Sequence, residues 1–266
     1  MSLVVEGAWK GFANRNDTQW VLRDVTIDVQ PGQFVSLIGH SGCGKSTLLN
    51  AMGGLNQLDG GRITLDGVPV TGPSPDRAMV FQHYSLLPRL SLARNVAVAV
   101  RSARRDWKKA KVDAAVERTL TGVGLWEHKD KKPHQVSGGM QQRCAVARAF
   151  AVEPRALLLD EPFGALDALT RARLQGRLVD LWTSESDTEL VVMVTHGIDE
   201  AVLLSDKVVV LANPPGPSVV DVIDVDISRP RDRVRIVDDP HFRDVQSRLM
   251  RILEQDAQRD VHHTAA

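Results

Sequence analysis

Cysteine is scarce in this chain. Cys43 and Cys144 are the two present among 266 residues, too few for a disulfide framework, and a reducing compartment is the simpler setting. Aromatic residues are sparse, with a single tyrosine, so few side chains are candidates for stacking on a ligand. No charge of either sign dominates: Lys+Arg and Asp+Glu each number 33, which gives no general field for nucleic acid or an anionic membrane. No apolar run approaches the ~20 residues that cross a bilayer. The opening "MSLVVEGAWKGF" carries an acidic residue where a secretion signal has a basic segment. These absences point to a cytosolic globular protein, long enough for one large α/β domain or two small ones with real cores.

What is present is a set of short apolar runs. Residues 3–9 and 21–29 read as strands, with Val25, Ile27 and Val29 alternating with Thr26 and Asp28, the period of a half-buried sheet. "FVSLIG" (34–39), "ALLLD" (156–160), "LVVMVT" (190–195) and "KVVVLA" (207–212) are unbroken and bounded by turns. Alternating with helical patterns, they suit parallel strands buried on both faces. Residues 84–135 differ: Val112, Val116, Leu120 and Val123 mark a helix and no buried strand is apparent, so this stretch reads as a helical insertion. The expected core is therefore 1–83 with 136–228. After it come a basic turn, "ISRPRDR", and an amphipathic helix striped by Phe242, Val245, Leu249 and Leu253. The end, "VHHTAA", has nothing to hold it and is expected to fray.

"GHSGCGKST" (39–47) fits the phosphate-loop pattern through Gly39, Gly44, Lys45 and Ser46, placed between an apolar strand and a helical run. Small residues there let the backbone N–H groups of Gly39, His40, Ser41, Gly42, Cys43 and Gly44 wrap a phosphate at a helix N-terminus. Lys45 would neutralise the β and γ phosphates and Ser46 would ligate magnesium. "ALLLDEP" supplies two carboxylates at a strand end. An acidic pair there is more often a cap or a solvated turn. With the phosphate loop upstream, Asp160 is assigned to magnesium and Glu161 to polarising the attacking water.

Together with these two motifs, "VSGGMQQR" (136–143), "GALDA" (164–168), Gln82 in "MVFQHYS" and His196 in "VTHGIDEA" resemble the ATP-binding subunits of ABC transporters over nearly the whole chain. The resemblance implies an α/β fold, a P-loop NTPase core of ABC type with an N-terminal antiparallel β part and an inserted helical subdomain. It implies MgATP as cofactor and a head-to-tail dimer, with itself or a closely related ATPase subunit. In that dimer Ser137, Gly138 and Gly139 of one copy would close on the γ-phosphate held by the other; otherwise they are an inert glycine-rich helix start. Ser137 is a favoured N-cap and bare glycines expose N–H groups at the positive end of the helix.

By the same resemblance His196 would hold the water and Glu161 in line, and Gln82 would touch magnesium or the water and report nucleotide state. Asp167 would lie near the partner's phosphate loop, or would merely cap the helix starting near Ala168. Thr47 would reach the α-phosphate. Phe12 lines up with the aromatic that stacks on adenine, with Trp9 and Trp20 as rivals and a core role as the alternative.

Several features depart from the pattern or lie outside it. Met140 and Gly197 stand where relatives often have Gln and an acidic residue, and Arg94 removes the reciprocal half of a capping box. The basic stretch 101–111 reads as a solvated helix face, since Asp113 and Glu117 follow. His262 and His263 lack further metal ligands. Cys43 has no histidine partner and reads as loop filling, with the corollary that its alkylation should block activity and MgATP should protect it.

The chain has no span of its own, so the family's integral-membrane permease is the expected partner for the insertion, with "SLLPRLSLARN" as the contact strip. A periplasmic or lipoprotein solute-binding protein is expected indirectly, and no nucleic acid. The setting is the cytoplasmic face of the inner membrane. "TGPSPDRAMVFQ" and the short tail resemble the importer group for nitrate, sulfonate and taurine. A soluble ABC ATPase of DNA repair or translation is the alternative, but neither a second cassette nor a zinc module is apparent.

Overall fold

The computed structural model describes residues 2–14, 17–164, 166–184, 187–214 and 216–264. In chain order the elements begin with β1 (Leu3–Asn14), β2 (Asp17–Val29), β3 (Phe34–Gly39), α1 (Lys45–Met52), β4 (Gly60–Leu65), β5 (Val68–Pro69) and β6 (Arg77–Val80). They continue through α2 (Leu92–Ala103), α3 (Lys109–Gly122), α4 (Gly138–Ala151), β7 (Ala156–Asp160) and α5 (Ala168–Ser184). β8 (Leu190–Val194), α6 (Ile198–Leu204), β9 (Lys207–Leu211), β10 (Val219–Asp224) and α7 (Pro240–Thr264) follow. Two compact units result, Met1–Pro73 with Leu190–Ala266, and Ser74–Glu189. The side chains of His262 and His263, and Ala165 of the "GALDA" stretch, lie outside the described residues.

The first unit holds an antiparallel sheet in the order β2-β1-β4-β5. Val25, Ile27 and Val29 of β2 are buried and the residues between them are exposed, as the alternation predicts. β1 and β2 outrun the expected 3–9 and 21–29. Register shifts between Val5, Ala8, Lys10 and Gly11 absorb the extra twist, and pairing continues through Phe12 and Gln19 to Asn14 and Asp17. Such bulges bend a strand without ending it.

The same unit carries strands in the order β10-β9-β3-β8, parallel from β9 to β8 and antiparallel at β10. Every residue of β3 and β8 is buried, so their continuous apolar runs reflect cover on both faces. Helices α6 and α7 build a core against this sheet: Phe242, Val245 and Leu249 of α7 join Ala201, Val202, Val208, Val210 and Ile223, with Leu253 packed alongside. The basic turn belongs to this core as well. Arg231 donates to the carbonyls of Val202 at 2.8 Å and Ser205 at 2.7 Å, satisfying acceptors that the end of α6 leaves open. Burial, with Arg229 beside it, lowers the Arg231 guanidinium to about 10.

In the second unit β6 and β7 pair in parallel, and α2, α3 and α4 pack on one another. Val112, Val116 and Leu120 face this core, as their spacing predicts. The helical cluster extends beyond the expected 84–135, because α4 contributes the buried Cys144, Ala145, Val146, Ala149 and Phe150. Ser91 caps α2 by accepting from the Arg94 N–H at 3.3 Å. Trp107 of the basic stretch is covered by the Lys111 ammonium, 3.8 Å from its ring centroid.

Candidate nucleotide-binding site

The phosphate loop belongs to the first unit. β3 ends at Gly39, and α1 begins at Lys45 with Gly44 in the N-cap position at φ 93, with no side-chain cap. An L residue resists that conformation, and a Cβ there would lie 2.9 Å from the Val21 carbonyl oxygen and 2.7 Å from Leu22 Cδ2. The loop therefore delivers an α-helix start without a side-chain cap, the kind of terminus at which anions bind. Lys45 is 5% exposed, and its ammonium donates to the carbonyls of Gly39 at 2.8 Å and His40 at 2.7 Å. A buried cation satisfied only by neutral groups of its own loop, at an uncapped helix start, fits a phosphate chain well. Ser46 and Thr47 are partly exposed at the head of the helix, and Ser41 and Gly42 are exposed on the loop.

The His40 and Cys43 side chains face elsewhere. His40 Nε2 pairs with the Leu253 carbonyl at 2.8 Å, so its imidazole ties the loop to α7 and only its backbone is left for a phosphate. Cys43 is fully buried, and burial pushes its thiol up despite the Lys45 ammonium nearby. Cys144 is fully buried too, pushed up by burial to about 12. Since the thiolate is the nucleophile, both should be inert in the folded protein. This revises the alkylation corollary: reaction at Cys43 is slow from the start, leaving MgATP little to protect. Iodoacetamide at neutral pH should label neither cysteine in the native chain and both in denaturant, read by mass spectrometry. Rapid native labelling of Cys43 would contradict the burial seen here.

Trp9 and Trp20 pack edge to face with centroids 5.6 Å apart, whereas Phe12 is 47% exposed. Trp9 is exposed as well, at 37%, and the Lys10 ammonium lies 5.6 Å from the Phe12 ring centroid, so Phe12 leads by degree; it is not a core residue. His196 is exposed just beyond β8. The turn that carries it is held by Thr195, whose hydroxyl donates to Glu200 and accepts from the Gly197 N–H at 3.0 Å. Gly197 itself is the N-cap position of α6.

The second unit holds the carboxylates. β7 is buried throughout and ends at Asp160, which is 8% exposed. Glu161 follows at φ 46, a left-handed conformation that costs a non-glycine residue about 1 kcal/mol or more and is typical of functional turns. Gln82 Nε2 donates to Glu161 Oε2 at 3.0 Å. These two residues line a cleft of about 540 Å³ together with Tyr84, Ser85, Gln141 and Gly164. Among the described residues no group of three or more His, Cys, Asp or Glu side chains could hold a metal. Magnesium at a phosphate site needs no such cage, because it keeps waters and takes one or two protein oxygens plus the phosphates. Buried Asp160 and the Ser46 hydroxyl are donors of that kind.

α4 begins at Gly138, where Ser137 caps it by accepting from the Met140 N–H at 3.3 Å. The cap is worth about 1 kcal/mol. Both glycines also have close neighbours within the chain: a Cβ on Gly138 would lie 3.1 Å from Tyr84 Oη, and one on Gly139 3.1 Å from Leu166 Cδ2. Asp167 caps α5, accepting from the Thr170 N–H at 3.0 Å, and its hydrogen bonds to Thr170 hold the carboxyl below its ordinary range.

The sequence reading missed Arg148 and Tyr84. Arg148 donates to the Ser85 carbonyl at 2.6 Å and the Tyr84 carbonyl at 3.1 Å. The signal was a lone cation in "CAVARAFA": an arginine among apolar neighbours must find acceptors elsewhere in the fold.

An α/β protein with a glycine phosphate loop between a buried strand and an uncapped helix is a P-loop nucleotide-binding protein. Residues 22–164, more than half of the chain, match the family described as ABC transporter, and the chain belongs to that family. The nitrate import ATP-binding protein NrtC of Synechococcus elongatus is 50% identical over 234 residues, 88% of this chain and 35% of the relative. The bicarbonate transport ATP-binding protein CmpC of the same organism is 46% identical over 254 residues, 95% of this chain and 38% of the relative. The chain thus spans little more than a third of those two relatives. The ATP-binding cassette MJ0796, in a dimeric post-hydrolysis state with ADP and phosphate, is similar at TM-score 0.75 and 28% identity, covering 85% of this chain and 100% of that one.

Proposed function

We propose that the chain is the ATP-binding and ATP-hydrolysing subunit of an ABC importer for a small anion, peripheral on the cytoplasmic face of the inner membrane. The observation that carries the reading is Lys45, a buried ammonium closed on its own loop at an uncapped helix start. The likeness to nitrate and bicarbonate transport proteins supports a small oxyanion as cargo, within the nitrate, sulfonate or taurine type, and weighs against a role in DNA repair or translation. The dimeric state of the similar cassette supports pairing of two such subunits.

MgATP, when bound, supplies the γ-phosphoryl group that water attacks. Lys45 would exchange its two loop carbonyls for phosphate oxygens, and the N–H groups of residues 39–44 would take the rest of that charge. Ser46 and Asp160 would hold magnesium, and Thr47 the α-phosphate. Glu161 would draw the proton of the attacking water while His196 held the water in line. Gln82 would leave Glu161 for the magnesium or the water, reporting occupancy along residues 82–86. Phe12 would stack on adenine. Ser137, Gly138 and Gly139 would close on the partner copy's phosphate, with Asp167 beside that copy's loop. Contacts of this kind, made only in the closed dimer, are what let nucleotide shift conformation.

The test is phosphate release by the purified chain, with and without its permease. Turnover should require magnesium and fall to background in EDTA, and the chain should co-purify with integral-membrane subunits from detergent-solubilised membranes. Hydrolysis undiminished in EDTA, or a chain recovered without any membrane subunit, would overturn the reading.

A further inference from the structure

Three observations in the second unit share one segment of chain. The Arg148 guanidinium on α4 grips two consecutive carbonyls, Ser85 at 2.6 Å and Tyr84 at 3.1 Å. Ser85 sits at φ 48, a conformation that a non-glycine keeps only when its surroundings hold it, and its hydroxyl donates to the His83 carbonyl at 2.7 Å. Gln82, three residues before Ser85, places its amide on Glu161 at 3.0 Å. Arg148 is half-buried and burial lowers its guanidinium, while the Ser85 end of the contact is exposed. A planar fork fixes the directions of both donations, which a freely rotating ammonium does not.

We propose that Arg148 is a positioning residue for hydrolysis: by clamping the Tyr84 and Ser85 carbonyls to α4, it fixes the strained turn that sets Gln82 against Glu161. Its influence runs through the backbone of 82–85, and it touches neither nucleotide nor water. The same helix starts at Ser137 and Gly138, so the clamp also ties the Gln82 segment to the glycine-bearing helix start. The inference rests on the assignment of Glu161 as the residue that polarises water.

Steady-state hydrolysis by the full chain with its permease tests it. Arg148→Lys should lower kcat at least about ten-fold while the KM for ATP stays within about two-fold, since the phosphate loop is untouched. In a Gln82→Ala background the same change should cost less than about two-fold, because its target is already gone. Equal losses in both backgrounds would mean a merely structural role and would overturn the proposal, as would an unchanged kcat in the single variant. A second variant leaves Arg148 alone, in case its replacement unfolds the chain. One glycine inserted between exposed His83 and half-buried Tyr84 uncouples the clamped carbonyls from Gln82 and should reproduce the kcat loss; full activity there would also overturn it. A wild-type complex that hydrolyses no ATP would remove the underlying reading, whereas an active wild type with undiminished Arg148→Lys removes only Arg148.

Discussion

Glu161→Gln should lower ATP turnover by at least about 10²-fold and leave nucleotide binding in place. Glutamine keeps the length and planarity of the side chain, and it can still meet Gln82, whose amide donates to Glu161 Oε2 in the native chain. What it loses is the ability to take a proton from water. On the proposed reading binding would be carried by other groups, the Lys45 ammonium and the uncapped start of α1, so affinity for MgATP should survive. The consequence is a trap: a chain that binds but does not hydrolyse should accumulate as a nucleotide-bound dimer. Single-turnover phosphate release reads the first effect and light scattering at saturating MgATP the second. Rapid release by this variant would remove Glu161 from its role. A variant that stayed monomeric at high concentration and with its permease would remove the dimer instead.

The parts legible in the sequence were those with the fewest physical solutions. A phosphate chain needs backbone donors, a cation and a helix start in one place, and "GHSGCGKST" is close to the only economical way to supply them. Buried parallel strands were legible for a related reason: cover on both faces removes polar positions, and β3, β7 and β8 are buried at every residue. The continuation of β1 and β2 past Trp9 was not, since it depends on register shifts near Ala8 and Lys10 that leave no periodic mark. Side-chain direction was not legible either. His40 matched the loop pattern by position, yet its ring pairs with Leu253 far along the chain, and nothing in the spacing around Arg148 points to its two carbonyl partners. Long-range partners of this kind are set by packing, which composition and spacing do not encode.

Gly138→Asp should separate two reasons for the bare start of α4, with opposite effects on stability and activity. Within the chain, an added Cβ meets Tyr84 Oη at 3.1 Å, tight but against the polar end of a side chain that can shift. Aspartate in the first turn of a helix is favourable by about 0.3–1 kcal/mol, and replacing a helical glycine recovers some of its entropic cost. The isolated subunit should therefore melt at the same temperature or slightly higher. In the closed dimer the same carboxylate would face the partner's triphosphate, and turnover should fall by at least about 10²-fold because charge now repels charge where donors are needed. Mixing supplies the decisive control. Lys45→Ala lacks a working phosphate loop and Gly138→Asp a working helix start, so each alone should be inactive. Their mixed dimer pairs the intact loop of one with the intact helix start of the other, and hydrolysis should return when the two are combined. Two inactive chains that stay inactive together, in a mixture shown to contain the mixed dimer, would mean that each subunit completes its own site. A destabilised but fully active Gly138→Asp would mean that the glycine serves Tyr84 and nothing beyond the chain.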